Sequence, residues 1–388
     1  MTVPVSFKWV KDDLAALNAL PIEEKRKFLK KEEIKIRQSL GEAVPTVIFQ
    51  EIAKNIANVL SHPLLTTTLQ NKIIADRKLD TIDSMIRFIC ENPQNLSLAS
   101  LSRIAELKNT YRTDNAAYFT NKYLITEMIK QLPDFEKDVI RIIEPSVGVG
   151  NFVPLLIKKY ENKTVYLDLV DIDYNSIKIL QTLLFQYKIP KSWKINYITD
   201  DFLLHQFEYH YDLAIGNPPF YKLKATENKL IKQYKKEAIN KETSNICSYF
   251  LDKALKISDF VASVFPKFLL NTPEFKVSRD YISTKAVECV IDFGEKGFPG
   301  VLVETISIFI NSKAKPNNTK IISLTRNTEQ IQKQNYIFDH QLPYWIIYRD
   351  ALFDGVCKKM RFNVFDVFRD RQITNSLVTT VSDDENIR

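Results

Sequence analysis

The sequence predicts an α/β fold in which a mostly parallel sheet is covered by helices on both faces and is preceded by an all-helical domain. Two observations support this prediction. Seven apolar runs of strand length follow residue 138, and segments of helical periodicity separate them, which is typical of βα units. Before residue 109, apolar residues recur at helical spacing with charged residues between them.

The chain of 388 residues is long enough for two or three domains, each with its own core. We expect a helical N-terminal domain over residues 1–108 and a sheet-containing domain over residues 109–318. A linker and the start of a further region are expected over residues 319–388. The stretch from Glu23 to Arg37 is highly charged, but its acids and bases alternate, which favours a solvated helix face over a nucleic-acid surface.

The composition limits the class of protein. Hydrophobic residues make up 45% of the chain and charged residues 26%, as in soluble globular proteins. No apolar run approaches the length of a membrane span, so we expect no membrane association. The four cysteines form no CxxC pair and the four histidines show no metal spacing, so we expect a cytoplasmic location and no metal site. The net charge of +7 permits a polyanionic partner without proving one.

The apolar runs define the order of the predicted strands. They are VIRIIEP, VYLDLVDID, INYITDDF, YDLAIGNPP, FVASVFP, AVECVIDFG and TISIFINS. The amphipathic segment NKYLITEMIKQL precedes the first of them. Ligands of such sheets bind beyond the carboxyl ends of the strands, so residues at the strand exits are the candidates for chemistry.

The first strand exit, IIEPSVGVGNF, contains Gly148 and Gly150. Glycine permits a tight loop and a close approach of a ligand to the main chain. A dinucleotide fingerprint needs a third glycine in the region where this chain has Phe152 and Val153, which argues against a nicotinamide cofactor. A plain turn is the alternative interpretation of this GxG pair.

The next two exits carry carboxylates. Asp171 in LVDID lies downstream of the glycine loop, where a doubly wound fold places an acid on ribose hydroxyls. Asp173 is interpreted as the cap of the helix YNSIKILQTLL. In ITDDF, one of the two aspartates is a candidate acceptor for an adenine amine, with Phe202 nearby. Three such exits in order predict a nucleoside-binding pocket.

The fourth exit, IGNPPF, has an unusual backbone. Proline lacks a backbone donor and restricts the residue before it, so Pro218 and Pro219 end the strand and hold Asn217 extended. Gly216 allows a close approach to the backbone, and Phe220 supplies an aromatic face. This exit therefore offers a polar amide, a rigid carbonyl and an aromatic ring to the group that it holds.

Together these motifs resemble those of amino-group DNA methyltransferases that use S-adenosylmethionine. The resemblance is to the restriction–modification class with gamma-type order, in which cofactor motifs precede NPPF and a recognition domain follows. NAAYFTNKYLITEMI resembles the first cofactor motif, and GFPGVLVETISIFI resembles the late strand that carries a second aromatic residue. The resemblance covers residues 111–313 and implies the Rossmann-like fold of S-adenosylmethionine-dependent methyltransferases.

The resemblance also implies which residues bind the cofactor. Thr120 would hold the methionine carboxylate, Asp171 the ribose hydroxyls and Asp201 the adenine amine. Ile172 would pack on the adenine ring, and Phe202 would lie beside it. The residues of the first strand exit that would line the cofactor are Glu144, Ser146, Gly148 and Gly150.

The tetrapeptide implies transfer of a methyl group to the N6 amine of an adenine that is flipped out of the duplex. The amine would donate to the side-chain oxygen of Asn217 and to the carbonyl oxygen of Pro218, while Pro219 completes the rigid turn. Catalysis would then rest on positioning and electrostatics, without a covalent intermediate. The base would stack on Phe220, and Phe298 would close its other face; a core position is the alternative for Phe298.

The segment that follows NPPF is basic, with seven lysines between residues 222 and 241 and few acids. Its place beyond the base pocket favours contacts with DNA phosphates through Lys222, Lys224 and Lys229. A solvated loop and helix is the alternative interpretation.

Two other functions stay open. Methylation of an rRNA guanine or a protein glutamine uses the same NPP motif, although such enzymes typically lack the Thr120-type motif and the long segment beyond Phe298. A non-catalytic binding subunit is the alternative from another class, and the intact tetrapeptide argues against it. Cytosine C5 methylation needs a cysteine nucleophile, usually after proline, and none of the four cysteines follows a proline.

The stretch from Tyr344 onward resembles the opening of a target-recognition domain. The residues after Met360 are too few to build such a domain, because recognition needs a protein face of roughly 1,000 Å² or more. We therefore expect double-stranded DNA as a partner. We expect a specificity subunit, a separate recognition domain or a restriction endonuclease as a second partner.

Overall fold

The computed structural model describes residues 21–27, 30–31, 65–108, 122–295, 303–340, 342 and 344–359. The chain divides into two compact units, Met1–Leu69 with Pro93–Ser97, and Gln70–Asn92 with Leu98–Arg388. The second unit contains the sheet and the candidate site. It takes in residues 70–92 and 98–108, which the sequence assigned to a separate helical domain. The domain boundaries expected at residues 108 and 318 stay predictions.

The helices of the described residues are α1 (Thr67–Asp76), α2 (Ile82–Glu91), α3 (Leu98–Lys108), α4 (Lys122–Lys130), α5 (Val153–Lys159), α6 (Tyr174–Phe185), α7 (Asn228–Glu237), α8 (Ile246–Ile257), α9 (Lys276–Ser283), α10 (Gln334–Ile337) and α11 (Ala351–Lys359). Among these residues, no helix combines the length and the apolar character that a membrane crossing requires.

The strands of the described residues are β1 (Val139–Pro145), β2 (Thr164–Asp171), β3 (Trp193–Thr199), β4 (Tyr211–Gly216), β5 (Ser258–Pro266), β6 (Ala286–Gly294), β7 (Thr305–Asn311), β8 (Asn318–Ser323) and β9 (Thr328–Lys333). They form one sheet in the order β3-β2-β1-β4-β5-β7-β6-β8-β9. The first five strands in this order pair in parallel. Strand β7 is antiparallel to both β5 and β6, β8 is parallel to β6, and β9 is antiparallel to β8.

All seven apolar runs predicted as strands form strands β1 to β7, which confirms the mostly parallel α/β sheet. The central strands are buried on both faces, and every residue of β4 is buried. A strand covered on both faces needs apolar side chains at consecutive positions, which explains why these runs are continuous rather than alternating.

Strands β8 and β9 were not predicted. They form an antiparallel pair at one end of the sheet, and β9 alternates between exposed and half-buried residues. Ile331 is the only apolar residue of β9, and it is exposed. An edge strand with a solvated face needs few apolar residues, so its sequence lacks the signal of the central strands.

Two helices of the described residues begin with a capping side chain. The side chain of Thr81 accepts a hydrogen bond from the amide of Ser84 at the start of α2. The carboxylate of Asp173 accepts from the amides of Asn175 and Ser176 at the start of α6. The interpretation of Asp173 as a helix cap is therefore confirmed, since a capping side chain satisfies amides that the helix leaves without partners.

Gly150 in the loop after β1 should tolerate no side chain. Its φ is +78°, and a Cβ atom would lie 2.3 Å from Cδ1 of Leu180. We expect Gly150→Ala to lower the free energy of unfolding by about 1–3 kcal/mol, because a left-handed alanine is strained and must also displace Leu180. Urea unfolding followed by circular dichroism measures the change.

Gly355 provides the matched control for this substitution. It lies in helix α11, and a Cβ atom there would meet no atom within 4 Å. Gly355→Ala should stabilise the chain by about 0.5–1 kcal/mol, because alanine has the higher helix propensity. Equal effects of the two substitutions would contradict the assignment of strain to Gly150.

Candidate active site

The carboxyl ends of β1, β2, β3 and β4 lie at the same edge of the sheet, because these strands are parallel. The chain runs outward from β1 to β2 and β3, and then returns to the other side of β1 as β4. The direction of winding therefore reverses between β1 and β4. Such a switch point opens a crevice at the carboxyl edge, which is where α/β sheets bind ligands.

The loop after β1 has a left-handed backbone at three of five consecutive residues. The φ angles are +54° at Ser146, +59° at Gly148 and +78° at Gly150. The amide of Val147 donates to the carbonyl oxygen of Val170 on β2 at 2.8 Å, which fixes the loop to the neighbouring strand. Left-handed residues in sequence turn backbone amides toward one side, and such concave turns bind anionic or polar groups.

Asp171 at the end of β2 connects this loop to the next strand exit. One carboxylate oxygen accepts from the amide of Gly148 at 2.7 Å, and the other accepts from the amide of Asp173 at 2.9 Å. The side chain is buried, whereas the neighbouring Ile172 is 53% exposed. A carboxylate oxygen can accept more than one hydrogen bond, so these two amide bonds do not prevent Asp171 from also binding ligand hydroxyls.

Helix α3 supports the same loop from its other side. The hydroxyl of Ser102 donates to the side-chain oxygen of Asn151 at 2.8 Å, and the amide nitrogen of Asn151 donates to Glu106 at 2.7 Å. Ser102 and Glu106 are buried. Asn151 directly follows Gly150, so a helix from the N-terminal part of the sequence holds the glycine loop.

The exit of β3 is organised by its two aspartates. Oδ1 of Asp201 accepts from the amide of Leu203 at 2.8 Å, and Oδ2 accepts from the hydroxyl of Tyr234 at 2.6 Å. The carboxylate of Asp200 lies 2.7 Å from Nδ1 of His205. These contacts order the turn that ends β3 and fix the orientation of the Asp201 carboxylate.

Phe202 lies in the core at this exit. Its ring is only 3% exposed and stacks on Phe250 with 5.1 Å between the ring centroids. Lys253 lies over the rings of Phe202 and Phe207, and its ammonium group donates to the carbonyl oxygens of Leu203 and His205. Burial lowers the pKa of Lys253 to about 8. The predicted place of Phe202 beside an adenine ring stays a prediction.

The NPPF tetrapeptide follows β4 directly. Asn217 and Pro219 are half-buried, while Pro218 and Phe220 are buried. The Ser146 hydroxyl lies 3.2 Å from the carbonyl oxygen of Asn217, which joins the tetrapeptide to the loop after β1.

Gly216 leaves little room at the same place. A Cβ atom on Gly216 would come within 3.0 Å of the carbonyl oxygen of Pro145. The exits of β1 and β4 are therefore packed against each other, as the switch point requires.

The segment after the tetrapeptide returns to the start of helix α8. The amide of Leu223 donates to the carbonyl oxygen of Ser244 at 3.0 Å, and the amide of Ile246 donates to that of Tyr221 at 3.1 Å. The side-chain amide of Asn245 lies 3.4 Å from the carbonyl oxygen of Phe220. The tetrapeptide is thus braced from both its ends.

The three lysines predicted to contact DNA differ in their surroundings. Lys222 forms an ion pair with Glu274 at 2.6 Å. Lys224 and Lys229 are exposed. The ion pair of Lys222 is solvent-exposed on its lysine side, so it competes only weakly with a phosphate.

A buried polar network fixes the loop after α7. The carboxylate of Asp252 accepts from the amides of Ile239 at 2.8 Å and Asn240 at 3.1 Å. The side-chain nitrogen of Asn240 donates to the carbonyl oxygen of Glu274 and to the hydroxyl of Ser278. Burial raises the pKa of the Asp252 carboxyl to about 6, although both amide bonds favour its charged form.

The structure brings most of the predicted site residues to one edge of the sheet. Glu144 is buried at the end of β1, and the glycine loop, Asp171, Asp201 and the tetrapeptide follow at the adjacent strand exits. Thr120 and Phe298 lie outside the described residues. Their predicted roles stay predictions.

Sequence analysis missed three residues that organise the site: Asn151, Tyr234 and Lys253. None of the three carried a clear signal. Lys253 lies between Asp252 and Lys256 in α8, and the partners of Asn151 and Tyr234 are far away in the sequence.

The residues present fit S-adenosylmethionine. The left-handed loop beside buried Glu144 suits the polar amino-acid end, the Asp171 carboxylate suits ribose hydroxyls, and exposed Ile172 offers an apolar surface for an adenine ring. The Asp201 carboxylate suits an exocyclic amine. These four features occur in the order in which the parts of the molecule are linked.

Comparison with known proteins identifies relatives. A family model described as the Eco57I restriction-modification methylase matches residues 84–298. The type II methyltransferase M.CvrRI of Paramecium bursaria Chlorella virus XZ-6E is 28% identical over 215 residues, which cover 54% of this chain and 52% of that protein. The chain therefore spans about half the length of the curated relative that it matches.

Solved structures with a similar fold include the type IIG restriction endonuclease BpuSI. It is 14% identical, with a TM-score of 0.51, over 65% of this chain and 35% of that chain. The methyltransferase subunit of a type I restriction-modification system from Streptococcus thermophilus is also 14% identical, with a TM-score of 0.49, over 85% of this chain and 80% of that chain.

The family match places the chain in the class of restriction–modification methylases. The family match extends over more than half of the sequence. The chain belongs to the Eco57I restriction-modification methylase family. The resemblance inferred from the order of its motifs is confirmed.

Asp252 should make the stability of the chain depend on pH. Its folded-state pKa of about 6 lies above the ordinary value of 3.8, so the folded chain binds this proton more tightly than the unfolded chain. Below pH 3.8 this difference adds at most about 3 kcal/mol to the free energy of unfolding. This added stability is lost as the pH rises to about 6. Asp252→Asn should remove this part of the slope in urea unfolding between pH 4 and 8. An unchanged slope would contradict the assignment.

Proposed function

We propose that this chain transfers the methyl group of S-adenosylmethionine to the N6 amine of an adenine flipped out of duplex DNA. The observation that carries the proposal is the contact between the two halves of the site. The NPPF tetrapeptide after β4 and the left-handed loop after β1 are joined through Ser146 and Asn217. Membership of a restriction–modification methylase family supports DNA as the substrate.

Asn217 and Pro218 act on the amine of the target base. The side-chain oxygen of Asn217 and the carbonyl oxygen of Pro218 each accept one of its hydrogens. The nitrogen of an aromatic amine shares its lone pair with the ring, and two acceptors draw it toward tetrahedral geometry, which localises the pair. Bound S-adenosylmethionine supplies an electrophilic methyl group for this nitrogen.

Rigidity of the tetrapeptide is central to this mechanism. Pro218 and Pro219 fix the backbone, and the bonds from Ser146 and Asn245 hold it from two sides. The acceptors are therefore in place before the base arrives, and little reorganisation is needed during the reaction. Phe220 stacks on one face of the base, and Phe298 is proposed for the other face.

The cofactor roles proposed for the remaining residues follow the same edge of the sheet. Thr120 and Glu144 bind the amino-acid end, Asp171 binds the ribose, and Ile172 packs on the adenine. Asp201 accepts from the adenine amine, with Phe202 beside it. The loop residues that line the cofactor are Ser146, Gly148 and Gly150.

The alternative substrates are an rRNA guanine and a protein glutamine, since the NPP motif alone fits any planar amine. The exposed lysines after the tetrapeptide favour a nucleic acid over a protein, because phosphates are the groups that they neutralise. We propose duplex DNA as the partner, together with a specificity subunit, a recognition domain or an endonuclease, in the cytoplasm. Incubation of the chain with labelled S-adenosylmethionine and DNA, RNA or protein decides between the substrates.

Asn217→Ala should abolish methyl transfer and leave cofactor binding intact. Asn217 faces the target amine in the proposed mechanism, and loss of such an acceptor costs about 2–4 kcal/mol in the barrier, or roughly thirtyfold to a thousandfold in rate. The change in rate is measured as single-turnover transfer of a labelled methyl group to DNA. Asn196→Ala, at an exposed position on edge strand β3, is the control. Near-normal turnover of the Asn217 variant would contradict the mechanism.

Asp171→Asn should weaken the binding of S-adenosylmethionine about tenfold or more. The substitution removes the charge from the hydrogen bonds to the ribose, which are worth roughly 1.5–3 kcal/mol. Asp173→Asn is the matched control, because asparagine also caps helices and Asp173 is engaged in capping α6. Calorimetry with the two variants tests the assignment, and equal affinities would refute it.

A further inference from the structure

Helix α7 presents a stripe of lysines to solvent. Lys229, Lys232 and Lys236 are exposed, and their spacing of three and four residues places them on one face of the helix. Within the described part of the chain, no carboxylate lies within ion-pair distance of these three lysines. In the sequence, α7 lies between the tetrapeptide and Asn240, whose amide donates to the buried carboxylate of Asp252. The stripe therefore offers three positive charges without an ion-pair partner, on the helix that follows the tetrapeptide in the sequence.

Helix α7 contacts the core through Tyr234 and through the half-buried Leu230 and Ile231. Tyr234 is the only buried residue of the helix, and its ring lies 5.9 Å from that of Tyr249 on α8. Its hydroxyl donates to Oδ2 of Asp201 at 2.6 Å. Helix α7, which carries the lysine stripe, is thus hydrogen-bonded to Asp201, the proposed acceptor for the adenine amine of the cofactor.

We propose that Tyr234 is a positioning residue that couples DNA binding on the lysine stripe to cofactor binding at Asp201. The inference rests on the proposed function, since it takes S-adenosylmethionine as the ligand of Asp201. Tyr234 touches neither the base nor the methyl group. It acts through the orientation of the Asp201 carboxylate, whose other oxygen is held by the amide of Leu203.

The physical basis of the coupling is the shared position of α7. Phosphates drawn to Lys229, Lys232 and Lys236 hold the helix in one place, and Tyr234 then holds Asp201 in the orientation that accepts the adenine amine. Without DNA, motion of the exposed helix is transmitted to Asp201 by the same bond. Coupling between two sites is reciprocal, so the cofactor strengthens DNA binding by the same factor as DNA strengthens cofactor binding.

The test is the affinity for S-adenosylhomocysteine, which binds without turnover, measured by calorimetry with and without mixed-sequence duplex DNA at low salt. For the unmodified chain, DNA should tighten binding about fivefold to tenfold, which is the lower part of the usual range of coupling between sites. Tyr234→Phe keeps the ring but removes the bond to Asp201, so DNA should no longer change the affinity. Tyr249→Phe is the matched control, because its hydroxyl donates to the carbonyl oxygen of Thr243 instead. This variant should keep the effect of DNA.

Two further variants separate coupling from loss of structure. In an Asp201→Asn background, Tyr234→Phe should change the effect of DNA no further, because both substitutions interrupt the same connection. Replacing Lys229, Lys232 and Lys236 by glutamine should also remove the effect of DNA. The inference would be overturned if DNA still changed the affinity of Tyr234→Phe, or if Tyr249→Phe lost the effect equally. It would also be overturned if DNA did not change the affinity of the unmodified chain. An unmodified chain that binds no S-adenosylhomocysteine would overturn the proposed function itself.

Discussion

The hydrogen bonds of the Asp171 carboxylate hold the candidate site together. A buried charge is costly unless it is paired or bonded, and here two backbone amides, of Gly148 and Asp173, compensate it. One amide belongs to the loop after β1 and the other to the turn that starts α6. The Asp171 carboxylate thus ties the loop to the start of α6, in addition to the bonds of the loop to β2 and to α3.

The opposite wall of the crevice is built differently. The loop after β1 uses left-handed residues and one carboxylate, whereas the tetrapeptide uses two prolines and external braces from Ser146 and Asn245. Proline reduces the conformations that the free chain can adopt, so a rigid turn costs less entropy to order. The loop after β1 is therefore held by hydrogen bonds to a carboxylate, and the tetrapeptide is held mainly by the restricted backbone of its prolines.

The strands that could be predicted from the sequence are mainly those that the fold buries. The central strands, such as β4, β5 and β7, are almost wholly buried, and their sequences are nearly continuous apolar runs. Strand β8 alternates buried residues with exposed or half-buried ones, and edge strand β9 is mostly exposed, so neither has such a run. Residues at strand exits were predictable from local chemistry, as with Asp171, Asp173 and Asn217. Asn151 and Tyr234 were not, since their importance lies in partners 45 and 33 residues away.

The bonds from Asn151 to Ser102 and Glu106 bear on where a minimal catalytic fragment can be cut. Every recognisable motif lies after residue 110, so an expression fragment designed from motifs would begin there. Such a fragment would keep each residue that touches a ligand and would discard the helix that supports the glycine loop. A fragment that retains the supported loop therefore has to include helix α3, which carries none of the motifs.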